Sequence, residues 1–203
     1  MRFFLLALLA SLALQDAAAQ RRLTGRASVV VATFSSAPGI DVSPYVAPAA
    51  GLAIRFPVTS VFDTEIDLGV LPRGAKLSRN GATSSFRYSY FDLSLLGRLH
   101  VETRRRFRFG AFAGPTLSIL LQEASEDDLG QIRFEDFSKG TTTAGTVGLV
   151  GGYRDVLVDV RYVQGWGTFV KDEYRTFVDA QTGETRERAY VHQALVISLG
   201  LRL

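Results

Sequence analysis

Phe91-Asp92-Leu93-Ser94-Leu95-Leu96-Gly97-Arg98-Leu99-His100-Val101-Glu102 alternates with period two. On an extended chain Phe91, Leu93, Leu95, Gly97, Leu99 and Val101 fall on one face, and Asp92, Ser94, Leu96, Arg98, His100 and Glu102 on the other. The same split recurs along the chain. Phe62, Ile66, Leu68 and Val70 oppose Asp63, Glu65, Asp67 and Gly69. Val156, Val158, Val160 and Tyr162 oppose Leu157, Asp159 and Arg161. Near the end, Val191, Leu195, Ile197, Leu199, Leu201 and Leu203, with Gln193 out of pattern, oppose His192, Ala194, Val196, Ser198, Gly200 and Arg202.

A soluble sandwich also alternates, so strand length and loop length decide between architectures. Strands of ten residues or more recur here, whereas strands of soluble domains average roughly five or six. A membrane barrel needs about 9–11 residues per tilted strand, apolar outside and polar inside. The pattern predicts eight strands near 25–35, 46–56, 60–74, 86–101, 107–121, 143–153, 156–168 and 190–203. Connections at 36–45, 75–85, 122–142 and 169–189 read as long; those at 57–59, 102–106 and 154–155 read as short. Alternating long and short connections put both termini on the short-turn side. The expected fold is all-β, a closed antiparallel eight-stranded up-and-down transmembrane barrel, which also removes the exposed edges of an open sheet. Within 169–189, segments 173–179 and 185–189 flank Gly183 as a hairpin. Tyr88, Tyr90, Trp166 and Phe169 at one end, and Phe107 and Phe109 at the other, are candidates for interfacial aromatic girdles.

The first nineteen residues read as an address. Met1-Arg2 is followed by an apolar run to Leu14, too short to span a bilayer as a helix, and by Ala17-Ala18-Ala19. Residues 1–19 are expected to be a signal peptide and 20–203 the barrel domain. The chain has 203 residues and no Cys, which excludes a disulfide scaffold, a thiolate metal site and a Cys nucleophile. A net charge of +3 without a basic run interleaved with aromatics gives no case for nucleic acid.

Parity assigns ten charged residues to the lumen: Arg55, Asp63, Glu65, Asp67, Asp92, Arg98, Arg108, Asp159, Arg161 and Arg202. Five are acids and five are bases, so they can neutralise one another where an unpaired charge would cost several kcal/mol, on the order seen for buried ions. A slip of one residue would turn them all toward lipid. An eight-stranded interior is just wide enough for side chains to fill, so no open pore is expected.

Several stretches carry a family likeness: Pro72-Arg73-Gly74-Ala75-Lys76, Tyr90-Phe91-Asp92-Leu93-Ser94-Leu95-Leu96, Gly110-Ala111-Phe112-Ala113-Gly114-Pro115, Gly148-Leu149-Val150-Gly151-Gly152-Tyr153 with Val160-Arg161-Tyr162, and the closing Ser198-Leu199-Gly200-Leu201-Arg202-Leu203. They resemble the small porin-like, PorT-like outer-membrane β-barrel domains of certain Gram-negative bacteria. The resemblance implies an eight-stranded barrel in the outer membrane and no particular activity. Such barrels usually end in an aromatic residue; this chain ends in Leu203, which is apolar but not aromatic.

Catalytic signatures are absent: no G-x-S-x-G, Walker, H-E-x-x-H or EF-hand pattern occurs. His100 and His192 fall on lumen parity and read as polar members of the interior. The acidic stretch with Glu123, Glu126, Asp127, Asp128, Glu135 and Asp136 has no ligand-loop spacing and reads as solvated loop. Arg104-Arg105-Arg106, with Arg21 and Arg22, would lie on the periplasmic side. No catalytic residue, cofactor or metal is expected. The expectation is a non-enzymatic integral outer-membrane protein with periplasmic termini, acting structurally or through its four long outer loops. Its expected partners are outer-membrane lipid and lipopolysaccharide, the barrel-assembly machinery during biogenesis, and an unspecified ligand of the loops, with nucleic acid excluded. A narrow porin or transport or secretion accessory for small solutes is one alternative, and an outer-leaflet lipid-modifying enzyme is another.

Overall fold

The structure is a computed structural model that describes residues 22–34, 41–79, 82–103, 107–127, 138–170, 176–178, 185–187 and 191–203. The strands are β1 (Arg22–Phe34), β2 (Asp41–Pro57), β3 (Phe62–Arg79), β4 (Ala82–Glu102), β5 (Phe107–Asp127), β6 (Thr141–Tyr153), β7 (Val156–Gly165), β8 (Thr176–Val178), β9 (Thr185–Glu187) and β10 (His192–Arg202). Eight of them close a barrel in the order β1-β10-β7-β6-β5-β4-β3-β2, and antiparallel pairing of β1 with β2 shuts the ring. β8 and β9 form a separate antiparallel hairpin within the β7–β10 connection. The turn at Gly183, residues 1–21 and Arg104–Arg106 lie outside the described residues.

Alternation in the sequence becomes an inside and an outside. Along β7 exposure and burial alternate strictly from Val156 to Val163, with Leu157, Asp159, Arg161 and Val163 inward. Across strands the outward residues meet in apolar pairs: Ile66 opposite Leu95, Leu68 opposite Leu93, Val158 opposite Leu199 and Val160 opposite Ile197. Leu93, Leu95, Leu99, Ile197 and Leu199 are all exposed. A continuous skin of large aliphatics over a charged interior inverts a soluble protein and fits a membrane-spanning wall.

One expected loop, 75–85, proves to be largely strand, and two others are shortened by strand. β3 runs to Arg79 and β4 starts at Ala82, and these two residues pair. The region 75–85 is therefore the end of a long hairpin. Asn80-Gly81 between the paired residues is a strong two-residue hairpin signal in the sequence. β5 likewise continues to Asp127, past its last pair with β6 at Ile119–Thr141. β2 starts at Asp41 and follows β3 up to Ser78 after an irregularity between Pro44 and Ala50. The long-loop end is thus lopsided, with β2 to β5 rising as a wall above β6, β7, β10 and β1. The remainder of the acidic stretch, beyond Asp127, lies outside the described residues.

At the opposite end the connections are tight. Arg154-Asp155 joins β6 to β7, and Arg154 has a φ of 54°, a left-handed conformation uncommon for a residue other than glycine.

Candidate functional site

The lumen is the site where polar chemistry collects, and it is layered. In its middle, Glu65 is 0% exposed and accepts from three arginines. Arg26 donates to it at 2.6 Å, Arg55 at 3.3 Å and Arg98 at 3.0 Å. Arg26 also meets Asp67, and lies 3.5 Å from Asp159. Arg161 spans Asp67 and Asp159, each at 2.9 Å. Asp63 stands 3.7 Å from Arg55. Four arginines thus interlock with Asp63, Glu65, Asp67 and Asp159. Burial of such charges is tolerable only when they are paired in this way.

Aromatic and hydroxyl groups tie the belt to its surroundings. The Arg98 and Arg161 guanidiniums lie 5.1 and 5.5 Å from the Phe112 ring centroid. Phe112 needs the space above Gly148, where a Cβ would come within 2.4 Å of its ring. Beneath Phe112 the packing is apolar, with Leu96, Val150 and Leu157. Ser94, Thr116 and Thr146 link β4, β5 and β6 through hydroxyl contacts of 2.8 and 2.7 Å.

Toward the long-loop end the lumen becomes aromatic. Arg73 donates to Asp92 at 2.5 Å and to Ser118 at 3.0 Å, and lies 4.9 Å from the Tyr90 centroid. Above that pair, Phe34, Ala75, Tyr88, Tyr90, Phe169 and Val170 form one buried cluster. Phe169 and Val170 come from the β7–β10 connection. They are held by a bridge between Ser138 and Val170 and by the Lys139 N–H donating to the Phe169 carbonyl at 2.6 Å. The Phe169 ring stacks on His192 at 3.7 Å, and the Tyr90 hydroxyl lies 3.3 Å from His192 Nε2. The connection therefore folds inward and stoppers the barrel.

This corrects the girdle reading for three residues. Tyr88, Tyr90 and Phe169 are buried in the lumen, and only Trp166 of that group is exposed. Tyr88 and Tyr90 share parity with Asp92 and Arg98, so the strand pleat turns them inward. At the short-turn end, Phe107, Phe109 and Tyr153 are exposed together, with Phe107 4.9 Å from Tyr153 and 6.4 Å from Phe109.

The short-turn mouth is polar by contrast. A cavity of about 350 Å³ is lined by Arg22, Thr59, Ser60, Asp63, His100 and Glu102, among others. His100 Nδ1 lies 3.4 Å from Asp63 Oδ2. Arg108 donates to Glu102 at 2.6 Å.

Of the ten lumen charges read from parity, Arg55, Asp63, Glu65, Asp67, Arg98, Asp159 and Arg161 meet in the belt. Asp92 stands higher with Arg73, while Arg108 and the half-buried Arg202 stand at the short-turn mouth. Two arginines escaped that reading. Arg26 shares parity with the inward Thr24 and Val30 of β1, and Arg73 shares parity with Asp63, Glu65 and Asp67 of β3. The sequence parity was available in both cases. Asp63 beside His100 also gives that histidine a carboxylate neighbour that spacing alone did not suggest, because β3 and β4 bring them together across the β3–β4 register.

The chain matches the model of the outer membrane protein beta-barrel domain over residues 15–167. It belongs to this family. As a member, the chain is an integral outer-membrane barrel, and its apolar skin is the surface that faces lipid. No curated protein sequence matches it. Among solved structures, OprG from Pseudomonas aeruginosa is similar over 90% of this chain and 95% of its own, with 9% identity and a TM-score of 0.50. Neisserial surface protein A covers 89% of this chain and 97% of its own at 12% identity and a TM-score of 0.48. The attachment invasion locus protein Ail of Yersinia pestis covers 90% and 98% at 8% identity and a TM-score of 0.46. At 9% identity the likeness to OprG is one of fold.

Proposed function

We propose that this barrel neither conducts solute nor catalyses a reaction, and that it works through its long-loop end. The observation that carries this reading is the neutralised belt around Glu65, which joins side chains of β1, β2, β3, β4 and β7 across the lumen, with Phe169 and Val170 buried toward the long-loop end. Moving an ion through it would separate buried pairs, each costing several kcal/mol by order of magnitude. The charge belt then serves as a structural core, and Asp92, Arg108 and Arg202 flank it. Short turns and both termini lie in the periplasm, as is usual for such barrels. The raised wall of β2 to β5 and the β8–β9 hairpin then face outward and form the surface that meets an outer ligand or the neighbouring lipopolysaccharide.

Planar-bilayer recording on the refolded protein tests the reading. The expected result is no steady channel current. A stable open conductance would replace this reading with that of a narrow porin.

A further inference from the structure

Among the described residues, the charges of the lumen close in pairs except at one place. In the belt, Arg26, Arg55, Arg98 and Arg161 face Asp63, Glu65, Asp67 and Asp159. Higher up, Arg73 faces Asp92. At the short-turn mouth, Arg108 faces Glu102. Arg22 and Arg202 remain. Among the described residues no carboxylate lies within ion-pair distance of either. They are not scattered. Arg22 is directly opposite Arg55 across β1 and β2. Arg202 is opposite Thr24, one inward position from Arg22, across β1 and β10. Arg22 and Arg202, on the adjacent strands β1 and β10, therefore stand at one rim, next to the belt's Arg55. Like charges directly opposite in a sheet repel unless something is placed between them.

The donors there are unused as well. Arg202 Nε and Nη2, Arg108 Nε and Nη1, and Arg55 Nη1 are buried without a hydrogen-bond partner. Arg108 is more than nine-tenths buried and reaches the cavity through its bond to Glu102. Arg22 forms part of the cavity wall itself. Asp63 and Glu102 line the same space, but Arg55 and His100 attend the first and Arg108 the second.

We propose that the short-turn mouth binds a phosphate-type oxyanion against Arg22, with Arg202 and the spare N–H groups of Arg108 as further donors. Arg22, Arg108 and Arg202 share Glu102, with Asp155 acting on Arg202, so the mouth keeps a positive excess that suits a phosphate-type anion. The planar guanidinium fork suits phosphate oxygens. The phosphate group comes either from a free anion or from a lipid headgroup at the membrane edge. The site itself does not depend on which end of the barrel faces the periplasm, so it can fail or stand independently of the non-conducting reading above.

The test uses the full barrel refolded in a zwitterionic detergent at low salt, with inorganic phosphate titrated by calorimetry. Saturable binding is expected, weakened roughly tenfold or more in Arg22→Gln combined with Arg202→Gln, on the scale of charge-assisted hydrogen bonds. Phosphate should also raise the temperature at which the folded gel band of the unaltered protein converts, and leave that of the double variant in place. Arg22→Gln alone, at a half-buried rim position, serves if the double variant does not fold. Lys76→Gln, at the other end, should bind as the parent does. In nanodiscs, competition of phosphatidylglycerol against phosphate would assign the headgroup as source, and indifference would assign the free anion. No saturable binding to the parent, or equal affinity in the Arg22 and Arg202 variants, would overturn the proposal.

Discussion

The two mouths of this barrel are closed by opposite means. At the long-loop end the seal is dry: Phe169 and Val170 fold in from a connection and lie among Phe34, Tyr88 and Tyr90. At the short-turn end the interior opens into a polar cavity rimmed by Arg22, Glu102 and His100. The difference follows from the connections. A long connection has spare residues that can turn back into the lumen, whereas a two-residue turn such as Arg154-Asp155 has none. Between the mouths lies the belt around Glu65, and the contrast between them persists only while that divider holds.

The largest expected effect comes from removing the divider's centre. Glu65→Leu would leave Arg26, Arg55 and Arg98 facing one another without their shared acceptor, costing about 3–5 kcal/mol, as breaking a buried ion pair does. Urea unfolding in detergent, followed by the folded gel band, measures it. A loss under about 1 kcal/mol would show that water, not Glu65, satisfies these arginines.

Next comes the wall. Leu95 is exposed on the lipid side opposite Ile66, whereas Leu96 beside it is 0% exposed in the lumen. Leu95→Arg should cost roughly 2–4 kcal/mol and block assembly if Leu95 lies near the bilayer midplane. Arg98→Leu should be milder, because Glu65 keeps Arg26 and Arg55. Equal defects in membrane fractionation would mean that the two faces are not distinguished as described.

Phe169→Ala attacks the dry mouth alone. The cost should be about 3 kcal/mol, the low end for Phe→Ala, since Phe169 belongs to a connection, which can close over a gap more readily than a barrel strand paired on both sides. The variant should still conduct nothing, because the charged belt lies beneath it. Current through it would make the aromatic stopper the true barrier and would shift the weight of the comparison to that end.

Alternation in β3, β4, β7 and β10 was enough to read closure, strand number and the inward face of most charges. The ends of the long hairpins were less legible. Polar residues such as Lys76, Ser84 and Ser85 look like loop, yet their backbones pair toward the end of the β3–β4 hairpin. Asn80-Gly81 was the signal that should have extended the strands. Layering was harder still. Parity says that Asp92 and Asp159 both face inward. It does not say that Asp92 meets Arg73 while Asp159 meets Arg26 and Arg161, because barrel stagger sets the height of each strand against its neighbours. The stopper at Phe169 came from a connection, where periodicity carries no information.

The smallest effect concerns the turns themselves. At the long-loop end Arg79 pairs with Ala82, and the sequence between them is Asn-Gly, residue types that accept left-handed conformations. At the short-turn end Arg154 adopts a φ of 54° with a side chain attached, a conformation that costs about 1–2 kcal/mol for an ordinary residue. Arg154→Gly removes that strain. It also removes the guanidinium lying 5.2 Å from the Tyr153 centroid, a contact worth about 0.5–1 kcal/mol at an exposed site, and adds chain freedom to the unfolded state. The terms nearly cancel, so the net gain should be no more than about 0.5 kcal/mol. A double cycle separates them: in a Tyr153→Leu background, where the stacking is already lost, Arg154→Gly should stabilise by more than it does in the parent. If the increment is the same in both backgrounds, the stacked pair contributes nothing and backbone strain alone sets the stability of the turn.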